Sequence, residues 1–394
     1  MELSQQLSAF KETHQYRSLK EIDRKDGGHV QYQGKDFISF TSNDYLGIAS
    51  DKGLQEAFLK ENQSDFFSFG SASSRLLEGH SSICTELENT ISSAYGKEAC
   101  LWMNSGYHAN IGLMSSLPQK GDLILSDKLN HASIVDGLKL ARAQFERFRH
   151  LDYDHLERLL KKHRDNFNKV FIVSEALFSM DGDCCDVKKL VALKQKYNCH
   201  LIIDEAHSVG AFGENGLGLC EAEGKVDDID VIVAPCGKAL GAVGAFVVLS
   251  AEWKEYLINT CRSFIYTTAL PPINTAWLLF TWKKTQKAGT LRSQLENNTN
   301  YFIQKAKESG IDTVSTTYIQ PIIIGDNKDC LALAEALNQE GIIVSAIRYP
   351  TVPKGTARLR LSITSNHTKE EIDKVLDMIN HYKKSETHAD TLVK

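Results

Sequence analysis

Five short apolar runs between residues 99 and 234 constrain this chain more than any other feature, because each is too continuous to lie half in water and each gives way at once to polar residues. They are Ala99 to Met103, Asp122 to Ser126, Val170 to Ser174, Leu201 to Ile203 and Val231 to Ala234. Short uninterrupted runs, rich in Val and Ile, are the pattern of strands buried on both faces, which is the condition of a parallel sheet. Helical stripes lie between them. Ile83, Leu87 and Ile91 recur about one turn apart and stop at Gly96, and a second stripe covers Ala132 to Ala141. From residue 51 to about 285 the order strand, turn, helix repeats, so the fold class expected is α/β, doubly wound around a mostly parallel central sheet.

The pattern changes after Pro271-Pro272 and a helix containing Trp277 and Trp282. Tyr318 to Ile324, Ile342 to Ile347 and Ala357 to Ile363 read as strands, interleaved with helices at Leu331 to Gln339 and Lys369 to Lys383. The last helix carries Ile372, Val375, Leu376 and Ile379 on one face and opens with a capping box, Thr368 and Glu371. At the other end Leu3, Leu7 and Phe10 have helical spacing, and Phe37 to Phe40 makes a short strand. The organisation expected is an N-terminal arm and strand over 1–50, a large α/β domain over 51–285, a smaller C-terminal α+β domain over 286–384 and a disordered polar tail over 385–394.

Composition narrows the function classes. A net charge of −5 gives no reason to expect nucleic acid or an anionic membrane as partner, so any anionic substrate must be met by individually placed cations. No apolar stretch reaches the length of a membrane span and the first residues lack the pattern of a secretory leader, which predicts a cytoplasmic protein. Nine cysteines with no C-x-x-C pair fit buried thiols better than a disulfide framework. No metal is expected either, since Asp204 and His207 have no neighbouring Cys or His pair to complete a shell.

The strand exits carry the chemistry. Ligands of open α/β sheets bind outside the carboxyl ends of the strands, where Asp204, His207 and Lys238 stand, joined by Glu175 and by His131 at a helix start. Two nucleotide sites are excluded. Cys236-Gly237-Lys238-Ala239 lacks the Ser or Thr that follows a P-loop lysine, and neither glycine cluster nearby has the order of a dinucleotide fingerprint. An aspartate at one exit and a lysine at another suit pyridoxal phosphate, with the lysine as its covalent anchor and the aspartate paired with the ring nitrogen. Asn104-Ser105-Gly106-Tyr107 then offers exposed amides at a helix start, where a phosphate is favoured. Asn43, in a polar turn, could face a ligand or cap the next helix.

Several words of this sequence resemble one family when taken in order: SNDYLG at 42–47, MNSGYHAN at 103–110, DKLNHAS at 127–133, SEALFSMDGD at 174–183, DEAHSVGAFGENGLG at 204–218, CGKALG at 236–241 and YPTVPKGTARLRLS at 349–362. On these the chain is identified as a member of the α-oxoamine synthases, which are fold type I pyridoxal phosphate enzymes. The resemblance implies that Lys238 is the Schiff-base lysine, that Asp204 pairs with the pyridinium nitrogen, and that His207 and Ser179 hydrogen-bond the phenolic oxygen. It further implies that His131 stacks on the ring, that Gly106 and Tyr107 help hold the phosphate, and that Arg348, beside Thr351, grips the amino-acid carboxylate. Arg17 and Asn43 match positions lining the substrate site. The words at 319–321 and 349–362 resemble the alanine-using branch, which implies condensation of L-alanine with a pimeloyl thioester, on coenzyme A or acyl carrier protein. Glycine- and serine-using relatives, an aminotransferase and a catalytically silent subunit of the same fold are the alternatives.

The chain departs from the family in two places. Pro235 stands where relatives have a threonine that bonds the phosphate, and Gly70-Ser71-Ala72-Ser73-Ser74-Arg75 replaces a glycine-richer run. A proline offers the phosphate neither hydroxyl nor amide hydrogen. Thr267 and Thr268 are the donors expected to compensate, from the partner subunit of a homodimer with shared sites, because relatives place that segment at the partner's cofactor.

Overall fold

The computed structural model describes residues 2–62 and 68–392. The chain forms two compact units. The larger comprises Gly53–Phe178 and Cys184–Gly289, and the smaller gathers the residues up to Lys52, the short insert Ser179–Asp183, and the chain from Thr290 onward. The smaller unit begins with a helix, Leu3–Glu12, and with strands β1 (Ile22–Arg24), β2 (His29–Tyr32) and β3 (Lys35–Ser39). Strands of the larger unit follow: β4 (Ala99–Met103), β5 (Leu123–Asp127), β6 (Gln144–Phe148), β7 (Val170–Glu175), β8 (His200–Asp204), β9 (Val231–Pro235) and β10 (Ala245–Leu249). The chain then completes the smaller unit with β11 (Ile319–Gly325), β12 (Ile342–Ile343), β13 (Ser345–Ile347) and β14 (Ala357–Ser362).

The seven strands of the larger unit lie in the order β4-β10-β9-β8-β7-β5-β6. Strands β5 to β9 are parallel to one another, whereas β10 runs antiparallel to both β4 and β9. Successive side chains point to opposite faces, so one run feeds two cores. Ile172 and Ile203 pack into one core with Leu87, Ile91, Leu156, Leu190 and Trp282, while Val173 and Ile202 pack into the other with Leu113, Ile134 and Leu138. Those partners come from helices on each face, including Ser82–Tyr95, Tyr153–His163, Val187–Tyr197 and Pro272–Thr285 on one and Gly106–Ser116 and Ala132–Leu140 on the other. Burial on both sides explains the uninterrupted apolar runs, and the expected α/β class with a mixed, mostly parallel sheet is the architecture found. Helix Ser82–Tyr95 ends as its sequence predicts, with Gly96 in the left-handed region at φ 62°.

The smaller unit holds two sheets. In the first, β1, β2 and β3 form an antiparallel ribbon whose edge pairs in parallel with β12, Ile38 facing Ile342. In the second, β14 lies between β11 and β13, antiparallel to both. The capping box is present: the Thr368 amide donates to Glu371 Oε2 at 2.9 Å and the Glu371 amide to Thr368 Oγ1 at 3.2 Å. Helix Lys369–Leu392 runs on past Lys383, and the final two residues of the expected tail, 393 and 394, lie outside the described residues. Among the described residues no helix is long and apolar enough to cross a membrane.

A buried histidine ties this unit together and makes it acid-sensitive. His367 stacks on Phe40 with ring centroids 4.2 Å apart, its Nδ1 accepts the Thr364 amide at 3.0 Å, and its Nε2 lies 3.1 Å from the Ser39 carbonyl. Burial pushes its pKa down to about 4, against a smaller opposing pull from Glu371. The unfolded chain therefore takes up a proton near pH 6.5 that the folded chain refuses until about pH 4. Stability from this group is complete above pH 6.5 and is lost as pH falls toward 4, a swing of about 3 kcal/mol. Urea unfolding followed across that window should show the loss, and His367→Gln should flatten the pH dependence while lowering stability at neutral pH.

Candidate active site

Asp204 closes β8 and is buried. Its Oδ1 accepts the Ala206 amide at 2.8 Å and its Oδ2 accepts Asn110 Nδ2 at 2.7 Å, so both oxygens are held before any ligand arrives. Asn110 sits one turn into the helix Gly106–Ser116, and its Nδ2 also reaches Ser133 Oγ at 3.0 Å. Ser133 Oγ in turn lies 2.8 Å from His131 Nδ1. His131 is the N-cap of helix Ala132–Leu140, accepting the Ser133 amide on Nδ1 at 3.3 Å, while its own amide donates to Glu175 Oε1. Glu175 faces Asp204 directly across β7 and β8. Two carboxyls side by side in a dry place cannot both ionise cheaply. Burial, reinforced by the Asp204 charge, pushes Glu175 well above the usual carboxylate range.

Lys238 follows β9 in a tight turn and is half-buried. The turn carries two backbone bonds, Gly241 N to the Lys238 carbonyl at 2.9 Å and Cys236 N to the Gly244 carbonyl at 2.9 Å, and Trp277 Nε1 donates to the Gly241 carbonyl at 2.9 Å. Its positive charge acts on both Glu175 and His131, which places all three within electrostatic reach of one another. His207 is buried three residues past Asp204. The loop behind it is pinned by fully buried Glu205, which accepts the Leu219 amide at 2.9 Å and the Cys220 amide at 2.7 Å.

The helix Gly106–Ser116 presents its start at the same sheet edge, since β4 ends at Met103. Ser105 Oγ accepts the His108 amide at 3.2 Å and the Ser105 carbonyl takes that of Ala109, leaving the Gly106 and Tyr107 amides without an internal acceptor among the described residues. The Pro235 ring packs onto Gly106 so closely that a Cβ there would lie 2.4 Å from Cγ. Tyr107 turns its hydroxyl away to Asp136, donating to Oδ2 at 2.7 Å. Asn104 Nδ2 donates to the Thr268 carbonyl at 2.6 Å and contacts Thr267 Oγ1 at 3.4 Å, so that segment lies beside its own chain's helix start.

The remaining predicted residues belong to the smaller unit. Arg17 donates to Thr351 Oγ1 at 2.9 Å, and Arg348 spends its guanidinium on backbone carbonyls of His14 and Tyr16. Burial lowers the Arg348 pKa, and the neighbouring charge of Arg17 adds to the effect. Asn43 Oδ1 accepts the Tyr45 hydroxyl at 3.1 Å and Arg360 Nη2 at 3.2 Å, so it caps no helix. Ser179 is represented here by its carbonyl, which accepts Arg360 Nε at 2.6 Å. Arg360 itself is buried, its Nη1 donates to Ser362 Oγ at 2.8 Å, and its Nη2 also reaches the Tyr45 hydroxyl at 3.4 Å. Every acceptor it has among the described residues is neutral. Arg358, two residues earlier on the same strand, is instead paired with Asp181.

Residues 35–379 match the model of the class I and II aminotransferases. The chain belongs to that family. Among relatives in this class I and II aminotransferase family, it is 43% identical to the 8-amino-7-oxononanoate synthase of Chlorobaculum parvum over 91% of this chain and 92% of the relative. Solved structures agree. A serine palmitoyltransferase from S. paucimobilis superposes with a TM-score of 0.89 at 30% identity, covering 97% of both chains. The 8-amino-7-oxononanoate synthase of Francisella tularensis gives 0.74 at 31% identity, covering 89% of this chain and 99% of its own. The class I and II aminotransferase architecture here is that of a fold type I pyridoxal phosphate enzyme, and the chain is an acyltransferase of that kind.

The donor set fits that cofactor. A carboxylate at the sheet edge suits a protonated ring nitrogen, a lysine amine at the next strand exit suits an aldehyde, and two helix-start amides without an acceptor among the described residues suit a phosphate. Sequence reasoning placed the polar strand exits but gave no role to Asn110, Ser133, Glu175 or Arg360. Asn110 carried a signal, one helical turn beyond Gly106. Arg360 carried another, an arginine inside an apolar strand word, though only the structure separates it from the acid-paired Arg358.

Proposed function

We propose that this enzyme condenses L-alanine with a pimeloyl thioester, on coenzyme A or acyl carrier protein, to 8-amino-7-oxononanoate, releasing the thiol and carbon dioxide. Arg360 carries the amino-acid half of the reading: a buried guanidinium whose acceptors among the described residues are all neutral is a receptor for a carboxylate, which it can take in a bidentate, planar grip. We assign the alanine carboxylate to Arg360, supported by Asn43, in preference to Arg348. The acyl half is supported by the names of the relatives at 43% identity.

The bound cofactor supplies an electron sink for a carbanion at the amino-acid Cα. Asp204 keeps a proton on the ring nitrogen by its charge, and beside it burial holds the Glu175 carboxyl well above its usual range. The Lys238 amine takes the proton from Cα and later returns one. Fixing the carboxylate decides which bond at Cα is weakened, first to hydrogen and then, once the acyl carbon has joined and the thiol has left, to carbon dioxide. The phosphate would be held by the Gly106 and Tyr107 amides, with Thr267 and Thr268, which lie beside that helix start in the same chain, as further donors.

The likeness to serine palmitoyltransferase favours a second reading, serine with a long acyl chain. Thiol release measured with alanine, glycine and serine against pimeloyl, acetyl and palmitoyl thioesters separates the two. Alanine with pimeloyl should be preferred, and Arg360→Lys should raise the KM for alanine about tenfold or more, from loss of a bidentate contact. A preference for serine with palmitoyl, or for glycine with acetyl, would overturn the reading.

A further inference from the structure

We infer that Asn110 and Ser133 are positioning residues that fix the proton of His131 on Nε2, through a hydrogen-bonded chain anchored at Asp204. The direction of each bond follows from what each atom can do. The Ser133 backbone amide can only donate, and it points at His131 Nδ1, so that nitrogen is an acceptor and holds no proton. Asp204 Oδ2 at 2.7 Å can only accept from the Asn110 side chain, which sets the Asn110 amide with its nitrogen toward Asp204 and Ser133. Both hydrogens of Nδ2 are then committed, one to Asp204 and one to Ser133 Oγ. With its oxygen receiving a hydrogen bond from Asn110, the Ser133 hydroxyl has its own hydrogen free for His131 Nδ1 at 2.8 Å. An imidazole whose Nδ1 accepts twice carries its proton on Nε2.

The chain has a functional direction. Its far end is the carboxylate that the ring nitrogen needs, and its near end is a histidine that must not compete for that charge. Asp204, Asp136, Lys238 and Glu175 are the titratable groups around His131, with Glu175 taking its backbone amide. Burial, the largest influence, keeps the imidazole neutral, the Lys238 charge works in the same direction, and Asp204 and Asp136 work against it. Protonating Nδ1 would also cost two hydrogen bonds from Ser133. His131 thus serves as an uncharged Nε2–H donor for a substrate oxygen, and Asp204 keeps its charge for the cofactor. Only that last assignment, of the oxygen to a substrate, rests on the reaction proposed above.

The test is nitrogen-15 NMR of histidine in the holoenzyme, with the His131 signals among the 13 histidines identified by their loss in His131→Gln. The wild type should show a neutral ring protonated on Nε2. In Ser133→Ala the signals should shift toward a mixture of tautomers and the titration midpoint should rise by about one pH unit, the worth of roughly one hydrogen bond. Ser133→Thr, which keeps the hydroxyl, should restore both. Asn110→Leu should produce the mixture as well, because the hydroxyl is no longer steered. The acid limb of kcat/KM should move with the midpoint in each variant. An Nδ1-protonated ring in the wild type would overturn the inference without any variant, as would an unchanged tautomer and midpoint in folded, cofactor-loaded Ser133→Ala. None of these spectra needs a substrate, so the inference and the proposed condensation fail independently.

Discussion

Lys238→Ala should lower turnover by about 10⁴-fold or more, since in the proposed reaction it removes both the covalent anchor of the cofactor and the base at Cα. The fold should be unaffected. The turn from Cys236 to Gly244 is closed by main-chain bonds that do not depend on the side chain at 238. Thermal unfolding of the apo variant should match that of the apo wild type within a few degrees, while thiol release falls to background and the visible absorbance of the bound cofactor shifts. Near-normal thiol release in the variant would remove the lysine from the mechanism altogether.

Asp204→Asn should cost about 10²- to 10³-fold in kcat, the usual penalty for deleting a preorganised charge in a water-poor site. The replacement has nearly the same shape, but an amide has one oxygen where the carboxylate has two. Ala206 N and Asn110 Nδ2 both donate to Asp204, so one of them must face the new NH₂ group. Loss of charge and loss of a hydrogen bond are therefore mixed in the single variant. Exchanging the residues, Asp204→Asn with Asn110→Asp, restores a donor opposite an acceptor and moves the charge one residue away. A double-mutant cycle on kcat separates the two contributions. If charge at the ring nitrogen dominates, the exchanged enzyme stays slow although its stability returns. A rate within a few-fold of wild type in Asp204→Asn would contradict the role given to this carboxylate.

Much of the larger unit was legible because a parallel strand is dry on both sides and leaves no polar residue in its run. Ile124 and Leu125, or Ile202 and Ile203, are adjacent and almost fully buried, and only opposite faces of one sheet make that possible. Strand β10 shows the limit. Its word AFVVL is as apolar as the others, yet it runs the other way, and an apolar run carries no arrow. The ribbon of β1 and β2 was illegible for the opposite reason, since strands that are mostly exposed or half-buried impose no strict alternation.

At the site, position along a strand could be read from sequence and partnership could not. The exits of β7, β8 and β9 had to share an edge, so Glu175, Asp204 and Lys238 could be grouped before any coordinates. That burial beside Asp204 lifts the Glu175 carboxyl depends on the pairing of β7 with β8, and which arginine of ARLR is paired with an acid depends on an aspartate far away in the chain. The link from Asn110 to Ser133 joins two helices that the sequence shows only as separate stripes. Arg348 looked available because the carbonyls of His14 and Tyr16, which it binds, leave no trace in the identity of those residues.

The pairing of β3 with β12 has a consequence for the order in which a ribosome delivers this protein. Ile38 emerges early, but Ile342, its neighbour in the finished sheet, is made only after the whole larger unit has left the exit tunnel. Residues 53–289, apart from the insert at 179–183, can close their own sheet while synthesis continues. The first fifty residues cannot. Until the last hundred or so arrive they present an open strand edge, and it is in that interval, more than in the finished enzyme, that a chaperone has something to hold.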